Sequence, residues 1–276
     1  MIEMTLGRLN EFTIILYALC VLLYFIDFLH NNRKANRAAF WLLSIVWVSQ
    51  TIFLFYEMFV LDRFPVLSIG DGLYFYTWIL VTLSLVLNRF LRVDFIVFFT
   101  NVLGFIMLSI HTFAPSRHYT PEISGQLISE LLLIHITIAI LSYGAFSLSF
   151  VFSLLYLIQY NLLKKKKWGK RLLRIGDLAK LDHMAYILTV IGVPMLLLGL
   201  ILGIIWAYLT EPNFHWYDPK VLGSFGILFA YGWYFYSRIV KGMQGKSIAF
   251  LNIICFLTVL VNFFLLGNLS RFHLFS

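Results

Sequence analysis

Long apolar runs dominate the sequence, and short polar stretches separate them. Eight runs are long enough to cross the hydrocarbon core of a bilayer, for which a helix needs about 20 apolar residues. They lie at residues 9–29, 39–60, 72–90, 93–113, 127–160, 184–209, 221–240 and 247–270. This pattern predicts an all-α polytopic protein of the cell membrane, built as a bundle of about eight transmembrane helices. We expect residues 1–276 to form a single integral membrane domain.

The composition supports a membrane location. Hydrophobic residues make up 61% of the 276 residues and charged residues only 12%, against about 25% charged in an average soluble domain. Disorder, a water-soluble nucleic-acid-binding domain and an ordinary soluble enzyme are therefore excluded, and the first expected partner is membrane lipid. Cys20 and Cys255 both lie inside apolar runs. They supply neither a disulfide framework nor a metal-binding spacing, so we interpret them as small buried residues.

The basic residues predict the orientation of the bundle. Eight spans place both termini on the same side of the membrane. If that side is the outside, sixteen of the 21 Lys and Arg residues fall on inner loops. The five that remain outside are Arg8, Arg63, Arg117, Lys220 and Arg271. Because cytoplasmic loops carry the excess of Lys and Arg, we predict that both termini are outside, the 161–183 loop is cytosolic and the 210–220 loop is external.

One inner loop carries a conspicuous run of charge. Residues 164–180 read KKKKWGKRLLRIGDLAK. Two interpretations stay open for this run. It can act only as a topology determinant, or it can form a basic surface that docks onto anionic lipid or onto a cytosolic partner.

The histidines provide the first candidate chemistry. Five of the seven cluster toward the predicted outer surface. His135 lies about nine residues into the fifth run, roughly 12 Å below its start at the helical rise. An imidazole inside an apolar span is costly unless it is paired, ligates a metal or faces a cavity, and two histidines from opposite sides can bind a haem iron axially. No Gly-rich phosphate loop or nucleophile elbow appears, so we predict no enzymatic activity.

The sixth loop is unusually aromatic. The stretch YLTEPNFHWYDPK at 208–220 places Trp216 beside Lys220. Tyr and Trp near span ends commonly form an interfacial belt, and that interpretation stays open. A flat porphyrin would also stack on such side chains, with its propionates paired to Lys220 or Arg271.

Three blocks of the sequence resemble the CcsA/CcmC-type family of cytochrome c assembly and haem-handling membrane proteins. The stretch Leu181–Arg238 is similar to the family's loop pattern WG-x-x-W-x-WDPK, PVLSIGDGLYFYTW (65–78) to its PVSNxYExxxFxxW stretch, and HITIAILSYGAF (135–146) to its outer-histidine helix. His273 occupies the place of the second outer histidine. The resemblance implies haem as a cofactor and His135 and His273 as ligands of its iron. The cofactor-binding residues that it implies are His135, His273, Trp206, Trp216, Asp218 and Lys220.

The departures from the family pattern affect the expected function. Glu211, His215 and Tyr217 replace loop tryptophans, and Tyr236 stands where the family has an intramembrane histidine. The chain then most resembles a branch that is encoded beside haem-biosynthesis enzymes in Gram-positive bacteria. That resemblance implies a haem-pathway membrane protein that lowers the level of glutamyl-tRNA reductase, with this or another haem-biosynthesis enzyme as partner. The alternative is a haem-handling factor for c-type cytochrome assembly.

Overall fold

The regular structure of the described chain is entirely helical. The computed structural model describes residues 2–60, 69–91, 94–113, 130–166, 177–210, 215 and 217–266. Its helices are α1 (Ile2–His30), α2 (Arg33–Phe59), α3 (Ile69–Leu91), α4 (Asp94–Phe113), α5 (Glu130–Lys164), α6 (Leu178–Thr210), α7 (Pro219–Phe235) and α8 (Lys246–Val261). α7 continues as a π turn, Tyr236–Val240, and α8 as a second one, Asn262–Leu266. The eight apolar runs therefore correspond to eight helices, which confirms the predicted architecture.

The helices have the length and composition of membrane spans. Seven of those described meet both requirements on their own. The remaining one, α7, has 17 α-helical residues and gains further length from its π turn. The chain is a multi-pass membrane protein, as the sequence predicted. The outward position of both termini stays a prediction.

The chain divides into two compact units, Met1–Ser116 and Arg117–Ser276, which we call unit 1 and unit 2. In unit 1, α1 packs against α2 and α4, while α3 packs against the same two helices. In unit 2, α5 packs against α6 and α8, and α7 packs against the same pair. The expectation of a single membrane domain stays a prediction.

From Arg8 to His30, the buried face of α1 is polar or polarisable, although the helix as a whole is apolar. Its fully buried side chains are Thr13, Tyr17, Cys20, Tyr24 and Asp27, none more than 2% exposed. We call this set the α1 stripe. The Tyr17 hydroxyl donates to Asn101 Oδ1 at 3.1 Å, and the Thr13 and Ser49 hydroxyls lie 2.6 Å apart. Because lipid offers no hydrogen-bonding partner, these groups face the neighbouring helices of unit 1.

A constant antiparallel register joins α5 and α6 in unit 2. Four contacts define it: Ser149 with Thr189, Phe146 with Gly192, Ala139 with Gly199, and His135 with Gly203. Moving from one contact to the next covers the same number of residues toward the start of α5 as toward the end of α6. Glycine at three of the α6 positions lets the two backbones approach closely, as small residues do in membrane helix pairs.

A buried asparagine fixes α8 to α5. The Asn252 amide nitrogen donates to the hydroxyls of Ser149 and Ser153, both at 2.7 Å. Ser149 Oγ in turn donates to Ala185 O on α6 at 2.7 Å. Three helices of unit 2 therefore share one interior hydrogen-bond network, which holds α5 in place as the platform for His135.

The helices extend further into the predicted loops than hydropathy alone indicated. α6 begins at Leu178, so the last residues of the 161–183 loop are helical, and α5 continues to Lys164. Charged residues such as Lys180 and Asp182 are compatible with a helix but lower the local hydropathy. α7 begins at Pro219, inside the predicted 210–220 loop, because Asp218 caps its N-terminus.

Candidate functional site

His135 lies near the first turn of α5, at the end of unit 2 where α6 ends and α7 begins; we call this the His135 end. Its Nδ1 lies 2.5 Å from the carbonyl oxygen of Gly199 on α6. A carbonyl oxygen can only accept, so Nδ1 carries the proton and donates it. In the neutral imidazole the lone pair is then on Nε2. A hydrogen bond from the other ring nitrogen to a carbonyl oxygen orients histidine ligands of metals in this way.

Gly203 provides the space for the imidazole. A Cβ built on Gly203 would lie 2.5 Å from His135 Cε1, 2.8 Å from Nδ1 and 2.9 Å from Nε2. All three distances are below the separations found for real Cβ atoms. The ring therefore lies directly against the α6 backbone, and any side chain at position 203 would displace it. Gly203 and Gly199 together fix the position and the tautomer of His135.

Trp206 packs one turn beyond Gly203. Its side chain is 3% exposed and forms a cluster with Leu132 and Ala207, against which Ile136 also packs. Leu132 and Ile136 flank His135 on α5, so the structure brings the two predicted site residues, His135 and Trp206, to neighbouring turns. The indole forms part of the packed wall beside the histidine.

Asp218 and Lys220 lie at the start of α7. Asp218 is the N-cap residue, and its Oδ1 accepts from Lys220 N at 2.9 Å. Pro219 occupies the first turn, where a missing N–H costs nothing. The DPK sequence is thus a helix-start signal. Lys220 is half-buried at the start of α7, so its side chain lies at the same end of unit 2 as His135.

Two predicted site residues, His273 and Trp216, lie outside the described residues, as does Glu211. The pairing of His135 with His273 therefore stays a prediction. Of the described part of the aromatic loop, His215 and Tyr217 are both exposed, and their ring centroids are 4.9 Å apart.

Sequence reasoning missed a polar cluster at the His135 end. Asn262, in the second π turn, donates from Nδ2 to the Tyr143 hydroxyl at 3.2 Å and to Ser224 Oγ at 3.3 Å. Ser224 Oγ donates to Lys220 O at 2.9 Å. The cluster joins α5, α7 and α8 two turns below His135. Its only signal in the sequence is three isolated polar residues in separate apolar runs.

The donor set limits the kind of metal centre. Within the described ranges, no three His, Cys, Asp or Glu side chains converge on a point where they could hold a metal ion. His135 offers one nitrogen ligand. An iron whose equatorial ligands come from a porphyrin needs only one or two axial side chains, and the arrangement fits that requirement.

Comparisons with known proteins agree on one family. The family model described as cytochrome c assembly protein matches residues 66–273. The protein HemX of Bacillus subtilis (strain 168) is 65% identical over all of both chains. The protein HemX of Brevibacillus brevis is 43% identical over 95% of this chain and 96% of its own. The cytochrome c biogenesis protein CcsA of Mesostigma viride is 28% identical over 72% of each chain.

Proposed function

Because the chain belongs to the cytochrome c assembly protein family and is HemX-like along its whole length, we propose that it is a regulatory membrane protein of the haem pathway. It lowers the level of glutamyl-tRNA reductase and holds haem at its outer face, without catalysing a reaction itself. The His135 geometry is the observation that supports the haem part of the proposal. The regulatory part is supported by the likeness to HemX proteins.

His135 would hold the iron of haem through Nε2. The protonated Nδ1, oriented by Gly199 O, and the glycine gap at position 203 keep the imidazole in one position and one tautomer. Bound haem supplies an iron centre that responds to ligand and redox state. Lys220 would pair with a propionate, and Trp206 forms an apolar wall. The family resemblance implies that His273 would be the second residue to hold the iron.

The haem proposal is tested by titration of the purified protein. We expect wild type to bind haem with a low-spin spectrum, and His135→Ala or His273→Ala to weaken binding or change the spin state. The double variant should lose binding. His30→Ala, an exposed residue of the α1–α2 turn, is the control for general damage. Equal affinity in wild type and the double variant would contradict the haem site and leave the regulatory role standing alone.

The regulatory proposal assigns the enzyme contact to the 161–183 segment. Lys164 and Lys165 are exposed at the end of α5, and a cytosolic enzyme can reach only the inner face. Neutralising Lys164 to Lys167 should raise the amount of glutamyl-tRNA reductase in cells, measured by immunoblot. The same variant must keep its orientation, since removal of inner charges can invert a span. An unchanged enzyme level in a correctly oriented variant would limit the segment to a topology role.

A second candidate function, haem handling for c-type cytochrome assembly, is supported by the likeness to CcsA proteins. Deleting the gene distinguishes the two. Loss of haem-stained c-type cytochromes at an unchanged reductase level supports assembly, while a raised reductase level with normal cytochromes supports regulation.

A further inference from the structure

At the end of unit 2 opposite the His135 end, Lys241 lies against two aromatic rings. Its ammonium is 4.4 Å from the Trp233 ring centroid and 5.4 Å from that of Tyr236. The two rings are 5.6 Å apart and about half exposed, at 47% and 44%. We call these three residues the Lys241 cradle. The ammonium therefore lies along the side of α7 and not beyond the end of the helix.

The π turn that follows α7 explains this position. The Lys241 N–H donates to Tyr236 O, five residues back, at 3.2 Å. In a regular α-helix the residue two turns after Trp233 is Val240. The extra residue of the π turn puts Lys241 there, above Tyr236 and Trp233. The helix irregularity thus moves a cation onto the aromatic face.

Among the described residues, no carboxylate pairs with the ammonium of the cradle. In the part of the chain that the structure describes, Arg238 takes the nearby carboxylate of Asp182 in a bidentate pair, with N···O distances of 2.9 and 2.5 Å. Neither Lys241 nor Lys246, the first residue of α8, makes an ion pair there. Cation–π contact offsets only part of the cost of an ammonium at an apolar surface. An anion from outside the chain would offset the remaining cost of the ammonium.

The surroundings indicate which anion this is. Ile239 and Val240, on the same turn, are 65% and 67% exposed, as apolar residues of a membrane span are when they face lipid. Trp and Tyr at a span end lie at the depth of the lipid headgroups, where the anion is a phosphodiester. An acidic protein would have to reach past these apolar side chains. Two unpaired lysines and no free carboxylate in the described turn favour headgroups with net negative charge.

We propose that the Lys241 cradle, assisted by Lys246, binds the headgroup of an anionic phospholipid. The site is separate from the His135 end and does not depend on haem binding or on which side of the membrane the turn faces. It gives unit 2 a fixed lipid contact beside the α7–α8 turn. Met243 N, which donates to Ser237 O at 3.0 Å, holds that turn against the π segment.

Tryptophan quenching in nanodiscs tests the proposal. The full chain is placed in bilayers of phosphatidylglycerol and phosphatidylcholine, with bromine on the acyl chains of one lipid at a time. The Trp233 signal is the difference between the protein and its Trp233→Phe variant. We expect brominated phosphatidylglycerol to quench Trp233 more than its share of the bilayer predicts. Lys241→Gln should reduce this preference about fivefold, which corresponds to about 1 kcal/mol for one basic residue at the membrane surface.

Two control variants separate the charge of Lys241 from the general effect of removing a lysine. Lys241→Arg keeps the charge and should keep the preference. Lys34→Gln, which removes an exposed lysine of the first turn of α2 without a ring contact, should not change quenching at Trp233. Equal quenching by the two lipids in the wild-type chain would overturn the proposal. So would an unchanged preference in Lys241→Gln, or displacement of the lipid by an acidic peptide.

Discussion

Replacing Gly203 with alanine is the sharpest test of how His135 is held. The new Cβ would lie 2.5 Å from His135 Cε1, so the ring must retreat by about 0.9 Å to reach 3.4 Å, where ordinary contact begins. A shift of that size along the Nδ1–O direction would lengthen the 2.5 Å bond to Gly199 O to about 3.4 Å. Overpacking costs about 1–3 kcal/mol, and a weakened hydrogen bond about 1 kcal/mol more.

The assay combines equilibrium unfolding in mixed micelles with haem titration. We expect Gly203→Ala to lower the free energy of unfolding by about 2–3 kcal/mol and to weaken haem binding about 10–100-fold, as the loss of a ligand-orienting contact does. Gly226→Ala is the control, because a Cβ there meets nothing within 4 Å. Alanine at that position should stabilise α7 by up to about 1 kcal/mol through helix propensity.

A double-mutant cycle decides whether the clash is with His135. In a His135→Ala background the ring is gone, so Gly203→Ala should cost close to nothing. The coupling between the two sites should therefore be of the same size as the cost of Gly203→Ala alone. An equal cost of Gly203→Ala in both backgrounds would refute the reasoning, because the alanine would then be meeting something other than the imidazole.

Three further predictions concern the N-cap of α7, the Arg238–Asp182 pair and the membrane topology. Asp218→Ala should destabilise unit 2 by about 1 kcal/mol through loss of the α7 N-cap, whereas Asp218→Ser should retain most of the stability in the same unfolding assay. Arg238→Ala leaves Asp182 unpaired and should lower the free energy of unfolding by about 2 kcal/mol. This is less than for a fully buried pair, because the two side chains are 19% and 25% exposed. Arg238→Lys should lower it less. A cysteine at Tyr217 should react with an impermeant thiol reagent on intact cells and one at Lys165 should not, and the reverse pattern would invert the predicted topology.

The helices could be predicted well from the sequence because a membrane span depends on hydropathy, which is summed over about 20 consecutive residues. Within the described residues all eight apolar runs are helical, and the discrepancies lie at their ends. The run 184–209 corresponds to a helix from Leu178 to Thr210, since Asp182 lowers the hydropathy of a turn that is nevertheless helical. The Asp182 carboxylate pairs with Arg238, which is 56 residues away along the chain, so a local hydropathy pattern does not show its partner.

The candidate site was only partly predictable. His135 was identified because an imidazole in an apolar span is costly unless it is paired, ligates a metal or faces a cavity. Its acceptor, Gly199 O, is a backbone atom and carries no sequence signal, and the role of Gly203 depends on the α5–α6 register. That register results from packing along two whole helices. Similarly, Asn262 and Tyr143 are 119 residues apart in the sequence, so no local pattern could join them.

The α1 stripe has a consequence for the assembly of the protein in the membrane. A newly inserted α1 that has not yet packed against its neighbours would present Tyr17, Cys20 and Tyr24 to hydrocarbon, where an unmatched hydrogen-bonding group costs several kcal/mol. The helix is therefore a poor solitary anchor despite its high hydropathy. The helix becomes stable when α2 and α4 pack against the α1 stripe. The cost is removed by the assembly of unit 1 and not by the insertion of α1 itself.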